Sequence, residues 1–320
     1  MIETPVLIAG GGPVGLALAC DLGQRGVECL MIEQNPGFTD HPKASAINAR
    51  SMEFFRRWGV AEKVKTAAAP EGFPHTAFYC TSLTGFEIAR VERADHGKRT
   101  PSKISPERPQ RCNQIWLDPI LLERTAGWPG VTSWRQCRFE RFVEKTGHVE
   151  STVTDVARGE TRTIVSKYVV DCTGGRSPIR AQLGVDMKGS DYLGFFLSVF
   201  VKAPNLWNYH DKGPAALIEF VDAKGAWLNL VLLDGRELYR MAARGKQFYD
   251  EPDRIDVEAM FRRMCGRDDV PHEILDVRRW SARNVVADSY RRGRVFLAGD
   301  AAHLNHPASG IGLNTGLGDI

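Results

Sequence analysis

One stretch constrains this chain more than any other. Pro5-Val6-Leu7-Ile8-Ala9 runs directly into Gly10-Gly11-Gly12-Pro13-Val14-Gly15. The short apolar run has the pattern of a strand buried on both faces. Leu16 to Leu22 then reads as a helix ending near Gly23 or Gly26, and Val27 to Glu33 as a second strand. Strand, glycine turn, helix and strand fit within about 30 residues, the length of a βαβ unit. The glycines play different parts. Gly10 permits the tight turn, Gly12 lets backbone approach a pyrophosphate, and Gly15 lets helix and strand pack closely. Pro13 and Val14 stand at the helix start, where free amides and the positive end of the helix dipole meet phosphate. Glu33 lies 23 residues after Gly10, where an acidic side chain accepts from ribose hydroxyls. A carboxylate there favours an unphosphorylated adenosine ribose, as in FAD or NAD. A bare glycine turn with no ligand is the competing reading, and the flanking strands, helix and terminal Glu33 argue against it.

A second glycine-rich stretch lies near the other end. Val295 to Ala298 is apolar, Gly299-Asp300 follows, and a glycine-bearing loop leads to Asn314-Thr315-Gly316. A buried strand whose carboxyl end presents an acid and bare amides is where open α/β sheets hold ligands. Between the two ends, Ser51 to Gly59 reads as an amphipathic helix and Ala77 to Cys80 as a short strand. Gln114 to Ala126 reads as a helix interrupted early by Pro119. Three strand-like runs within 137–170 predict a small antiparallel meander that leads into Asp171-Cys172-Thr173-Gly174-Gly175-Arg176-Ser177. Phe195 to Val201, Ala216 to Val221, Ala226 to Leu233 and Glu237 to Ala243 predict an antiparallel sheet, followed by a helix over Val257 to Met264.

Composition closes off several function classes. A net charge of +3 suits anionic cofactors but is too weak to imply nucleic acid. Seven scattered cysteines, with no metal-ligand spacing and no close pair, read as reduced thiols of a cytoplasmic protein. That spacing also disfavours a disulfide oxidoreductase. The first strand starts too early to leave room for a signal peptide, and no run of about 18 apolar residues predicts a membrane span. Self-association into a homo-oligomer is left open.

Three motifs together carry a family resemblance: Gly10-x-Gly12-x-x-Gly15 with Glu33, the Cys-x-Gly-x-Arg-Ser segment at 172 to 177, and Gly299-Asp300 with its glycine-rich tail. The chain resembles the flavin-dependent aromatic hydroxylases, single-component FAD monooxygenases similar to para-hydroxybenzoate hydroxylase and phenol hydroxylase. The resemblance implies an α/β fold, α+β overall. A Rossmann-like FAD-binding domain with a parallel sheet and the meander would comprise 1–72, 106–188 and 275–320. An antiparallel-sheet substrate domain would comprise 73–105 and 189–274. The family fold continues past the Asn-x-Gly loop, so a C-terminal part is expected to be missing here.

Carried over by position, the resemblance puts the FAD pyrophosphate at Gly10, Gly12 and Gly15 and the adenosine ribose at Glu33. Lys43 stands where many relatives have an Arg near the flavin, and a solvated loop lysine is the rival reading. Gln114 matches a glutamine on the ribityl side, against a polar residue on an exposed helix turn. Gly299 and Asp300 match the ribityl-binding segment. Pro307, Gly310, Gly312, Leu313 and Asn314 match the loop against the isoalloxazine ring. Thr173 replaces the family's usual Asp, and Asp171 either substitutes for it or caps its own strand. Arg176 and Arg180 read as structural arginines pairing with nearby acids.

The implied reaction uses NADPH or NADH and O2 to hydroxylate a phenolic or related aromatic substrate through a flavin C4a-hydroperoxide. The chemistry is borne by the cofactor, so no catalytic side chain is assigned and no metal site is expected. His303 and His306 flank the flavin loop, where packing or local hydrogen bonding competes with a proton relay. Trp227 and Asn229, read as alternating onto one face, and Tyr239 on a neighbouring strand are the substrate-lining candidates; core packing competes for Trp227 and Tyr239. The alternatives are a reductase or dehydrogenase of similar fold that does not use oxygen, and a non-catalytic flavin-binding module.

Overall fold

Leu7, Ile8 and Ala9 are completely buried, and that placement organises the first of two large sheets. The computed structural model describes residues 2–67, 70, 71, 73–92, 101–306 and 310–320. Ile2–Ala9 pairs in parallel with Cys29–Glu33 on one side and with Glu160–Asp171 on the other. Val131–Arg135 extends this sheet beyond Cys29–Glu33, and Val295–Leu297 extends it beyond Glu160–Asp171. Glu160–Asp171 also pairs antiparallel with Val149–Asp155, which pairs with Cys137–Glu144, so the meander grows out of a central strand. Ala9, Asp171 and Leu297 are register partners at the carboxyl ends of their strands. The glycine turn, the 172–177 turn and Gly299 therefore leave the sheet along one edge.

The second sheet runs in the order His303–Leu304, Glu273–Ala287, Met187–Lys202, Leu238–Arg244, Gly225–Leu232, Leu217–Asp222, Ala77–Cys80, Glu87–Val91. One face carries Leu197, Val199, Leu230 and Met241, packed with Phe261 and Met264 of the helix Val257–Cys265. The side chains between them in sequence point to the opposite face by the two-residue period of a strand.

The α/β class and the two sheets match the reading of the sequence, but three details change. Glu273–Ala287 is a strand, paired with Met187–Lys202 along nearly its whole length. The boundaries read at 188/189 and 274/275 thus fall inside paired strands. Pro119 does not interrupt its helix, which runs unbroken over Gln114–Thr125. The proline withholds one amide, the one that would meet the Ile115 carbonyl. Asn113 caps the start by accepting from the Ile115 amide at 3.2 Å, and burial of Leu117 and Leu121 holds the rest. Among the described residues, no helix is long and apolar enough to cross a membrane.

Candidate functional site

The glycine turn is shaped by what its neighbours leave room for. Gly10 has φ +109°, a region that favours glycine, and a Cβ there would lie 2.2 Å from the Cys172 carbonyl oxygen. A Cβ on Gly15 would lie 1.9 Å from the Gly10 oxygen. Gly11 is equally confined, because its Cβ would meet that of Glu33 at 2.8 Å. Gly12 is the exception: a Cβ there would meet nothing within 4 Å. The turn is thus closed on three glycines and open on the fourth. The helix Pro13–Gln24 starts there without a side-chain cap, so its first amides face the open side. Glu33 Oε2 accepts from the Gly11 amide at 2.8 Å, and Oε1 accepts from the Asn35 amide at 2.8 Å. These bonds fix the carboxylate beside the turn.

The chain's other end closes against the same helix. Gly299 has φ +61°, and a Cβ on Gly299 or Gly316 would strike Val14 Cγ2, at 2.9 and 2.7 Å. Val14 therefore wedges between two glycines, one in each segment. Asp319 Oδ2 accepts from the Gly299 amide at 2.7 Å and bonds His303 Nε2 at 2.8 Å, tying the helix Gly312–Asp319 to the strand end. Asp300 is exposed, and among the described residues no group hydrogen-bonds its carboxylate. The surrounding protein pushes its carboxyl above the ordinary value, while His303 and Lys43 pull it back. Leu313 is a buried residue of this helix, Gly312 is its first residue, and Gly310 approaches Ala46 closely enough that a Cβ would touch at 3.3 Å. Pro307 lies outside the described residues.

Three positions singled out from the sequence meet on segment 43–48. The Gln114 amide donates to the Ala44 carbonyl at 2.9 Å. Asn314 Nδ2 donates to the Ala46 carbonyl at 3.0 Å, and its Oδ1 accepts from the Asn48 amide at 2.9 Å. Lys43 is exposed and acts electrostatically on both Asp300 and Asp118. Asp118 is a buried acid beside these positions that the sequence reading missed. It lies one turn along the helix from Gln114, whose Nε2 donates to Asp118 Oδ2 at 3.0 Å. It is buried, its Oδ1 has no partner, and burial pushes its carboxyl up to about 7. Its only sequence signal is an acid four residues after a glutamine on a helix, which is common.

On the second sheet, the face opposite the helix Val257–Cys265 is polar at its centre. Asn229 is the register partner of Glu219 and of Ala242, and Arg240 is the partner of Val231. Asn229 Oδ1 and Arg240 Nε are buried without hydrogen-bond partners. Burial raises the Glu219 carboxyl above the ordinary value against the pull of Arg244 and Arg240. Beside them, Phe196 stacks on Trp280 with centroids 4.4 Å apart. Of the three lining candidates, only Asn229 faces this side. Tyr239 is completely buried in the core on the other face, with its hydroxyl donating to the Arg236 carbonyl at 3.2 Å. A bulge after Phe220 leaves Trp227 unpaired and turned toward Arg263 of the helix, 3.9 Å over its ring. The bulge breaks the alternation that placed Trp227 with Asn229.

Asp171 is turned in on its own loop. It accepts from the Thr173 amide at 2.9 Å and from the Thr173 and Ser177 hydroxyls, so it caps its strand. Arg180 binds backbone carbonyls of Gly175 and Ala301, each at 2.8 Å, instead of an acid. Arg176 is exposed. His306 packs edge-on against Phe196, and His303 is buried. All seven cysteines are unpaired, and no cluster of metal-ligating side chains occurs among the described residues.

Comparison with known proteins bears on this arrangement. The family model described as the FAD binding domain matches residues 3–320. The chain is 32% identical to the tetracenomycin B2 monooxygenase-dioxygenase of Streptomyces olivaceus, over 99% of this chain and 61% of that protein. Among solved structures it is similar to the rebeccamycin biosynthetic enzyme RebC with reduced flavin, with TM-score 0.89, 38% identity, and coverage of 99% of this chain and 59% of that one. It is also similar to the flavin-dependent monooxygenase PieE in complex with FAD and substrate, with TM-score 0.90, 29% identity, and coverage of 99% and 56%. The chain thus spans about three fifths of the length of these relatives.

Proposed function

This chain belongs to the FAD binding domain family, among the FAD-dependent aromatic hydroxylases, and from that premise we propose that it is the FAD-holding part of a monooxygenase that uses NADPH or NADH and O2 to hydroxylate a phenolic or related aromatic compound. One observation carries the reading. The open side of Gly12, the fixed carboxylate of Glu33 and the unengaged carboxylate of Asp300 leave the same sheet by its carboxyl edge. That edge fits an extended dinucleotide, with an anion-binding turn toward one end and a hydroxyl-binding acid toward the other.

Bound FAD supplies the redox chemistry, and the protein supplies binding, orientation and exclusion of water. In this reading the amides at Gly12, Val14 and Gly15 hold the pyrophosphate, and Glu33 accepts from the adenosine ribose. Asp300 accepts from ribityl hydroxyls, with Lys43 offsetting its charge. Gln114 gives its Nε2 to Asp118, which leaves its carbonyl oxygen for the cofactor. Gly312, Leu313 and Asn314 form the backbone edge at the ring, where amides favour negative charge.

We assign the substrate to the polar face of the second sheet, with Asn229, Glu219 and Arg240 meeting its oxygen substituents and Phe196 and Trp280 its ring. Buried donors and acceptors without partners are costly unless a ligand or water satisfies them. The division into an FAD part and a substrate part is kept, with Met187–Lys202 and Glu273–Ala287 assigned to the substrate part. We also propose a cytoplasmic location, a reading that the seven unpaired thiols support.

The test is turnover of FAD-loaded protein under air. NADPH and NADH oxidation would be followed with a panel of phenols, and products weighed by mass spectrometry. Substrate-stimulated oxidation with a product one oxygen heavier is expected. Reductant consumption that no phenol stimulates, with no oxygenated product, would sink the proposal.

A further inference from the structure

Segment 40–48 crosses from the second sheet to the cofactor cleft, and its two ends are held by different means. At the cleft end, Ala44, Ala46 and Asn48 are bonded to Gln114 and Asn314. At the sheet end, the hold is a buried chain of side chains. His41 Nδ1 lies 2.7 Å from Asp276 Oδ2, and Nε2 lies 2.8 Å from Ser198 Oγ. His41 and Ser198 are both buried. Arg278 donates to Asp276 Oδ2 at 2.7 Å and to Asp40 Oδ1 at 2.5 Å, so the adjacent residue is held as well.

The charges fix the direction of this chain. Burial raises the Asp276 carboxyl, but the bonds from His41 and Arg278 outweigh it and hold the group below the ordinary range. It is therefore an ionised acceptor. Burial also disfavours protonation of His41, with Arg278 and Arg240 adding to that effect and Asp276 opposing it. A neutral imidazole facing a carboxylate keeps its proton on Nδ1. Nε2 then accepts, and Ser198 donates. Each group has one role, and none is free to turn.

We propose that Ser198, His41 and Asp276 form a positioning device that holds segment 40–48 against the second sheet and so sets Lys43 over Asp118 and Asp300, making cofactor affinity depend on how the two sheets are docked. This rests on the FAD reading above. Lys43 is two residues from His41, and no group among the described residues hydrogen-bonds its ammonium, which acts on the two carboxylates through its charge alone. Its placement between two carboxylates therefore depends on the backbone that carries it.

The experiment is a double-mutant cycle on FAD affinity, read by flavin fluorescence in the intact protein. Ser198→Ala removes the donor but keeps the strand. It should weaken FAD binding about tenfold in the wild-type background and hardly at all in Lys43→Met, because the lost term acts through Lys43. Ser198→Thr keeps the hydroxyl and should keep wild-type affinity. His41→Asn, run in the same cycle, should repeat the pattern. Equal losses in both backgrounds, or no loss in either, would overturn the positioning role while leaving FAD binding intact. Wild-type protein that binds no FAD would overturn the functional reading itself, and this inference with it.

Discussion

The glycine turn and the polar face of the second sheet are both read here as ligand surfaces, yet they are built in opposite ways. At the turn, sterics decide nearly everything: Gly10, Gly11 and Gly15 have no room for a Cβ, and only Gly12 is open. Ligand recognition there falls to backbone. On the sheet, the backbone is fully used in strand pairing, and recognition falls to Asn229, Glu219 and Arg240, two of which carry buried atoms without partners. A surface made of backbone tolerates almost no substitution at closed positions. A surface made of side chains tolerates many, because the fold does not depend on them.

The sharpest way to break this contrast lies within the turn. Gly15→Ala should cost about 3 kcal/mol, since its Cβ would overlap the Gly10 carbonyl, and urea unfolding would show it. Gly12→Ala should change stability by less than about 0.5 kcal/mol while weakening FAD binding. If Gly12→Ala unfolds the protein, the open side is not a ligand side.

Asp118 is the cofactor side's exception, a buried side chain with an unpartnered oxygen. Its carboxyl is pushed up to about 7, so the folded state holds its proton across a range where the unfolded chain, at about 4, has released it. Stability from this group is present at low pH and is lost as pH rises from about 4 to about 7. Asp118→Asn should remove that slope and stabilise the fold by a few kcal/mol at pH 8, measured by denaturant midpoints across pH. A slope unchanged in the variant would show that the carboxyl is ionised throughout.

Smaller effects test the sheet. Arg240→Met should leave the fold as stable as before or more stable by about 1 kcal/mol, because it replaces a half-buried guanidinium whose Nε has no partner with an apolar side chain. The same change should raise KM for the aromatic substrate. A loss of stability with KM unchanged would make Arg240 structural and erase the contrast. Tyr239→Phe removes one hydrogen bond in the core and should cost about 0.5 kcal/mol with no change in KM. A KM effect there would return Tyr239 to the substrate side.

The same contrast governs what could be read from the sequence. The Gly10 to Glu33 unit was legible because its constraints are local: a strand, a turn and a helix follow one another in the chain. Gly299-Asp300 was legible for the same reason, as was the antiparallel sheet wherever apolar residues alternate. Glu273–Ala287 was hidden because Arg278 and Arg279 stand side by side and blur the period of two. Trp227 was misplaced by a bulge that only the pairing with Leu217–Asp222 reveals. Asp118 carries only the common pattern of an acid four residues after a glutamine, and His41 carries none. The partner of His41, Asp276, lies more than two hundred residues away and is known only once the sheets are docked.

The side-by-side order of Val295–Leu297, Glu160–Asp171 and Ile2–Ala9 also has a kinetic consequence. The bond from Asn314 to the Ala46 carbonyl joins residues 268 apart in sequence. During synthesis the βαβ unit can form early, but the cleft it faces has no second wall until residues beyond 300 leave the ribosome. Such long-range closure folds slowly. For much of its time as a nascent chain, the first strand keeps an open edge where Glu160–Asp171 will later pair, and the cleft closes only after that pairing is made.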